Sequence, residues 1–398
     1  MKPAIAGGKP VRNKTHELPY FLPSIGTQEV AEVVDTLRSN WITTGPKTQK
    51  FTERVRKYIG AKHAVAVNSC TAGLHIALVA SDVGPGDEVI TTPFTFVATA
   101  NVIVHVGATP VFCDIQKDTY NIDPAKIEGA ITKRTKAIIP VHYAGHPCDM
   151  DAIMHIAKKH KLIVIEDAAH AIGAAWRGKK IGTIGDFTSF SFYATKNMTT
   201  AEGGMVTTAS KTMAEKMEAL ALHGLSKHAW KRYFAEADWR YDALFAGYKY
   251  NMTDIQASLG IHQLKKLEGF LKQRENIARA YTRAFKNVPG IIVPTEQKHI
   301  RHPWHLYPIV IDEEKLSIAR DTFLDALRAE HIGRSVHFLP LHLFSYYKKR
   351  LGYARGDFPR AEYVGDRILS LPLYPGMTRK DVHDVILAVT KIALYYRK

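Results

Sequence analysis

One lysine, Lys196, stands between an aromatic run and a glycine pair in SFSFYATKNMTTAEGGMVTT, residues 189–208. It is either a surface lysine or an amine kept for chemistry. Upstream, VIEDAAHAIG places Asp167 just past a run of aliphatic residues. A carboxylate at a buried strand end is costly unless it caps the next turn or meets a cation. VNSCTAGL sets Ser69, Cys70 and Thr71 between a strand pattern and a helix pattern. Hydroxyls and free backbone N–H groups there either cap the helix or cradle a phosphate. TPFTFVATA adds an aromatic, Phe96. Amine, carboxylate, anion cradle and aromatic face together are what pyridoxal phosphate (PLP) requires. The amine condenses with its aldehyde, the carboxylate keeps its ring nitrogen protonated, and the glycines let backbone approach it closely. A carboxylate and a protonated ring nitrogen about 4 Å apart gain about 4 kcal/mol at an effective dielectric of about 20, before desolvation.

The elements that must position these residues follow from the apolar pattern. Residues 63–68, 87–92, 109–115, 136–142 and 161–167 read as strands buried on both faces, and 71–80, 95–106, 123–131 and 150–160 carry apolar residues at helical spacing. Asp123 before Pro124 reads as an N-cap followed by proline in the first turn. Such alternation predicts a largely parallel sheet covered by helices, with ligands beyond the carboxyl ends of the strands. Residues 210–290 read as mostly helical, and 304–398 as a smaller α+β unit.

The chain has 398 residues, enough for two domains, and 46% of them are hydrophobic. Lys and Arg number 54 against 38 Asp and Glu, a net charge of +16. The basic residues are spread along the chain without a nucleic-acid motif, so no nucleic-acid partner is expected, and a positive field also suits an anionic metabolite. The N-terminus lacks the apolar core of a signal peptide and no apolar run is long enough to span a bilayer, so no membrane partner and a cytoplasmic location are expected. Cys70, Cys113 and Cys148 make neither a disulfide framework nor a paired metal motif. HIRHPWH (299–305) gathers histidines, but Pro303 interrupts helical spacing and no metal is expected there.

In order and over nearly the whole chain, WITTGPKTQKFTERV, NSCTAGLHIAL, TPFTFVATANVI, IEDAAHAIGA, SFSFYATKNMTTAEGGMV, GYKYNMTDIQASLG and LPLYPGMT resemble the motifs of the DegT/DnrJ/EryC1/StrS family of PLP-dependent nucleotide-sugar aminotransferases. The resemblance implies a fold-type I enzyme, with a mostly parallel central sheet flanked by helices and a smaller C-terminal α+β domain. The PLP-binding domain is expected over residues 1–265 and the small domain over 266–398. A homodimer with active sites at the subunit interface is implied. Lys196 is then the lysine that holds the cofactor and shuttles a proton between its C4′ and the sugar carbon. Asp167 pairs with the ring nitrogen, His170 bonds the phenolic oxygen and Phe96 stacks on the ring. Cys70, Thr71 and Ser191 hold the phosphate, and Asn251 reaches it from the partner subunit. Two positions depart from the family pattern. Many members place the asparagine where this chain has Lys249, and Cys70 stands where a small or hydroxyl residue is expected, which leaves its backbone as the expected contact.

NWITTGP (40–46) resembles the run carried by members that aminate a 4-keto sugar; C3-acting members carry a Leu-Gly-containing version. Thr43 and Thr44 are candidates for sugar contacts, the alternative being a turn nucleated by Gly45-Pro46. Lys249 and Arg240 are candidates for the diphosphate. His337 is a candidate for the sugar site, with packing as the alternative for it and for His342. GYKYN and KNMTTAEGG are similar to the versions in enzymes that make UDP-4-amino-4-deoxy-L-arabinose. The implied reaction moves an amino group from L-glutamate to C4 of a 4-keto nucleotide-linked sugar, for cell-surface polysaccharide precursors. The competing readings are a sugar 3-dehydrase, which carries histidine in place of Lys196, an aminotransferase acting on sugar C3 or a cyclitol ketone, and a non-catalytic PLP-binding regulator.

Overall fold

In a computed structural model, residues 1–226 and 242–398 are described. Two helices, α1 (Thr27–Arg38) and α2 (Pro46–Ile59), precede a run of strands and helices: β1 (His63–Val67), α3 (Cys70–Ala80), β2 (Glu88–Thr91), α4 (Val97–His105), β3 (Thr109–Phe112), α5 (Pro124–Ala130), β4 (Thr135–Ile139), α6 (Met150–His160) and β5 (Ile163–Asp167). Short strands β6 (Ala175–Trp176) and β7 (Lys179–Lys180) lead to β8 (Phe187–Ser191), β9 (Gly204–Thr208) and α7 (Lys211–Ala221). The helix starts are chemically marked. Asp123 accepts from Ala125 N at 3.2 Å ahead of Pro124, and Asp149 and Ser210 cap α6 and α7. The strand expected over 136–142 ends at Ile139, because Pro140 has no N–H to give a ladder.

The seven strands run in the order β1-β9-β8-β5-β4-β2-β3. β9 is antiparallel to both its neighbours, and the pairings from β8 through β3 are parallel. The sheet is thus mostly parallel, and helices cover strands that are buried along most of their length. This topology brings the carboxyl ends of β1, β5 and β8 and the start of β9 to one edge, where Ser69, Asp167, Ser191 and Gly204 meet. Gly204 is required there. A Cβ on it would lie 2.5 to 2.7 Å from the backbone of Ser69 and Cys70, so only glycine lets β9 start against the head of α3.

The chain continues through α8 (Asp254–Phe285), β10 (Ile291–Ile292), β11 (Ile300–Arg301), β12 (Tyr307–Ile311), α9 (Arg320–Ala329), α10 (Ser345–Leu351), α11 (Pro359–Arg367), β13 (Ile368–Leu371) and α12 (Arg379–Tyr395). β10, β12 and β13 form a small antiparallel sheet. Thr253 and Gln256 close a capping box on α8, and the helix then passes from one core to another. Leu267 and Leu271 pack with the large sheet, whereas Ile277, Tyr281 and Phe285 pack with Ile309, Phe323 and Val389. Between them the fully buried Arg274 donates from Nη1 to the carbonyls of Trp304, His305 and Leu373 at 3.3, 3.2 and 2.8 Å. The N-terminal segment joins the second core: Leu18 packs there, and the backbone N–H groups of Ala4 and Val11 donate to Glu330 at 2.8 and 2.7 Å. Lys391 meets the same buried carboxylate at 2.8 Å.

Candidate active site

Asp167 ends β5 and is 6% exposed. Thr99 Oγ1 donates to its Oδ2 at 2.8 Å and Ala169 N to its Oδ1 at 3.1 Å. Burial raises the carboxyl pKa, and the Thr99 hydroxyl, the Ala169 N–H and the nearby Lys196 oppose the rise. The site therefore holds a desolvated carboxylate with room for a further cationic partner.

Lys196 lies in the turn after β8. Burial pushes its pKa down from 10.5 to about 8, with Cys70 and Asp167 opposing. With a pKa of about 8 the amine is mainly protonated at neutral pH, yet it keeps a far larger free fraction than an ordinary lysine and can both give and take a proton. His170 follows β5, and burial together with Lys196 and His337 holds its pKa well below the ordinary histidine value. Ser69 caps α3 by accepting from Ala72 N at 3.1 Å. The next N–H groups, on Cys70 and Thr71, lie in the first helical turn, where no intrahelical acceptor exists. The Cys70 thiol donates to Ser189 O at 3.3 Å and lies 3.9 Å from Asp167 Oδ1, and burial raises its pKa well above the usual value. A raised thiol stays protonated, so Cys70 is inert as a nucleophile and its backbone is the useful part.

Cys70, Thr71, Phe96, Asp167, His170, Ser191, Lys196 and His337 line one cavity of about 590 Å³. Phe96 stands at the head of α4, 60% exposed, with its ring 6.2 Å from that of Phe338. An aromatic that exposed within a cavity wall has a face to give to a ligand. His337 is held through Nδ1, 3.0 Å from Ser370 Oγ, and burial lowers its pKa to about 4, so it is neutral.

Other expected residues do not line this cavity. Asn251 Nδ2 donates to Thr44 Oγ1 at 2.6 Å, the Thr44 hydroxyl donates to Met252 O, and Asp254 N donates to Thr43 O at 3.0 Å. The Thr43–Thr44 loop is thus clasped to the segment before α8, and the Thr44 hydroxyl is already engaged. Lys249 pairs through its backbone with Leu222. Arg240 lies outside the described residues. His342 is structural: its Nε2 lies 2.9 Å from Glu362 Oε1. The histidines of HIRHPWH also go separate ways. His302 stacks on Trp304 at 4.0 Å, whereas His305 enters the cavity wall. Among the described residues no group of three or more His, Cys, Asp or Glu is placed to hold a metal ion, and no helix is long and apolar enough to cross a membrane.

The cavity also contains residues that sequence patterns did not single out: Tyr20, Phe21, Thr95, His305 and Phe338 line it, and Thr99 supports it from behind Asp167. Thr95 and Thr99, four apart in an apolar stretch and 2.9 Å from each other, were a readable signal. Tyr20 and Phe21 carried none, since they arrive from the far end of the chain.

The residues present fit PLP. A buried carboxylate awaits a cation, an amine of lowered pKa faces the same space, and a helix start offers free N–H groups. Fold and site together define a PLP-dependent aminotransferase with a mostly parallel central sheet. The DegT/DnrJ/EryC1/StrS aminotransferase family matches residues 23–390, and the chain belongs to it. It is 61% identical over 375 residues to an uncharacterized protein of Methanocaldococcus jannaschii, covering 94% of this chain and 97% of that one. It is 53% identical over 383 residues to the spore coat polysaccharide biosynthesis protein SpsC of Bacillus subtilis, covering 96% and 98%. Among solved structures, the PLP form of Spr1654 of Streptococcus pneumoniae, described as a sugar aminotransferase, superposes with a TM-score of 0.89 at 36% identity, covering 96% of this chain and 100% of that one.

Proposed function

We propose that this sugar aminotransferase takes the amino group of L-glutamate and places it on C4 of a 4-keto sugar carried by a nucleoside diphosphate, in the cytoplasm, for polysaccharide precursors. The observation that carries the reading is the meeting of Lys196 and Asp167 in one cavity at the head of α3. The TTGP run and its likeness to the UDP-4-amino-4-deoxy-L-arabinose enzymes support C4, and the similarity to SpsC supports polysaccharide synthesis.

PLP, when bound, supplies an aldehyde that takes up an amine and a ring that accepts the electron pair of a breaking C–H bond. Asp167 holds the ring nitrogen in its protonated form, with Thr99 and Ala169 fixing the carboxylate. The head of α3, with Ser191, holds the phosphate through N–H and hydroxyl donors. Phe96, exposed at the cavity wall, would lie against the ring and exclude water from it. His170 bonds the phenolic oxygen. Lys196 takes a proton from the donor's α-carbon and later delivers one to the sugar carbon. His337 faces the sugar as a neutral imidazole, and Lys249 and Arg240 meet the diphosphate. Asn251, oriented by Thr44, serves the cavity of the partner subunit in a homodimer, which accounts for its absence from the lining of its own.

The deciding experiment offers UDP-, TDP- and GDP-linked 4-keto and 3-keto sugars with L-glutamate and identifies the products by mass spectrometry. Amination of 4-keto sugars alone is expected. Conversion confined to 3-keto sugars overturns the C4 assignment.

A further inference from the structure

His170 follows the end of β5, and among the described residues its Nδ1 is buried without a hydrogen-bond partner. The structure surrounds the ring with other rings instead. His305 lies 4.3 Å away between centroids, tilted by 37°, and Phe338 stacks at 6.0 Å and 15°. An imidazole turns freely about its second torsion unless packing prevents it, and the plane it adopts decides where its cavity-side nitrogen is directed.

His305 is itself locked. Asn197 Nδ2 donates to the carbonyl of Pro303 at 3.1 Å, so the amide oxygen is the atom turned toward His305 Nδ1, 3.1 Å away. An amide oxygen only accepts, hence Nδ1 of His305 carries the proton and Nε2 keeps a lone pair. The groups that face it are His170 after β5, Lys196 after β8, Arg274 on α8, and His337 before β13. Burial and these neighbours hold His305 neutral.

We propose that His305 is a positioning residue for His170: oriented by Asn197 and Pro303, its ring holds the His170 plane toward the cofactor's phenolic oxygen. This rests on the role given to His170 above. The chain of contacts runs from the Pro303 carbonyl through Asn197 and His305 to His170, and Asn197 adjoins Lys196 in sequence. The segment that carries the amine and the group expected to bond the phenolic oxygen are therefore held by one frame.

The test titrates the visible absorption band of the PLP-loaded protein and measures its apparent PLP dissociation constant in His305→Phe and His305→Leu, with thermal melting to show that each variant folds. Phenylalanine keeps a flat ring, and both quantities are expected to stay within about twofold of the parent protein. Leucine removes the ring; PLP binding is expected to weaken about tenfold and the band's pH midpoint to move by about one unit. If the leucine variant does not fold, His305→Gln, which also lacks a ring, takes its place with the same expectation. Parent-like values without the ring, or a phenylalanine variant as impaired as leucine, overturn the proposal. A parent protein that develops no visible band with PLP overturns the reading of the site, and this proposal with it.

Discussion

The amide nitrogen of Asn251 lies 2.6 Å from the hydroxyl of Thr44, two residues 207 positions apart. That hydroxyl spends its own proton on Met252 O, so it can only accept from Asn251. The bond decides which way the amide faces. Thr44→Val keeps the shape and removes the acceptor. With about 1 kcal/mol lost, PLP binding in the assembled protein should weaken about fivefold, which a fluorescence titration with PLP would measure.

Shared sites are tested by mixing subunits. Lys196→Ala and Asn251→Ala are each expected to be impaired. If the protein is the proposed homodimer with Asn251 serving the partner's cavity, refolding the two together gives mixed dimers with one intact site in two, and roughly a quarter of the parent activity should return on statistical mixing. Recovery no greater than the sum of the separate variants would remove Asn251 from the partner's cavity.

On the proposed role of Lys196, Lys196→Ala removes the proton carrier. Turnover should fall on the order of 10³-fold, within the usual range for a positioned acid–base group. Borohydride should fix PLP to the peptide containing Lys196 in the parent protein and leave it unlabelled in the variant, read by peptide mass spectrometry.

Asp167→Asn preserves size and removes the charge proposed to face the ring nitrogen. An attraction of about 4 kcal/mol corresponds to a loss on the order of 10³-fold in rate. Thr99→Val removes one hydrogen bond to the same carboxylate, worth about 1 kcal/mol, and should slow turnover only about fivefold while PLP is retained. Steady-state rates on the two variants separate charge from orientation.

The Lys196 pKa of about 8 has two consequences. The free amine is the form that takes up PLP, so the rate at which the apoprotein gains its visible band should rise with pH through about 8 and level off above. For stability the sign is the following. The unfolded lysine holds its proton up to its ordinary value of 10.5, above the folded value of about 8, so between these limits the unfolded chain binds more protons. The contribution of this residue therefore makes the apoprotein more stable as pH rises through that window, and it is flat below it. Denaturant unfolding of the parent against Lys196→Met across pH 8 to 10 should show a slope present only in the parent.

Much of the site was legible because its groups sit where local patterns change. Asp167 ends a strand, Ser69–Thr71 open a helix and Lys196 precedes a buried strand; strand ends and helix starts are places where backbone polarity is exposed and chemistry is possible. The mostly parallel sheet was legible for the same reason, through buried apolar runs that alternate with helical spacing. For Thr44, read as a candidate sugar contact with a Gly45-Pro46 turn as the alternative, a hydroxyl in a loop carried no sign that it bonds Met252 O and Asn251. The metal reading of HIRHPWH was set aside on spacing, and that spacing could not reveal that His305 reaches the cavity while His302 stacks on Trp304.

By itself the sequence determined the cofactor chemistry: an amine, a carboxylate and an anion cradle occur at element boundaries that hydrophobic periodicity alone defines. The tertiary structure decided which groups share a space. Tyr20 and Phe21 reach the cavity because their segment packs on the C-terminal core, His305 because Arg274 holds its carbonyl, Phe338 because it packs with Phe94, Tyr143 and Leu306, and Asn251 is turned elsewhere by Thr44. Such contacts join residues far apart in the chain, and packing and hydrogen bonding between distant segments leave no period or spacing in the sequence from which to read them.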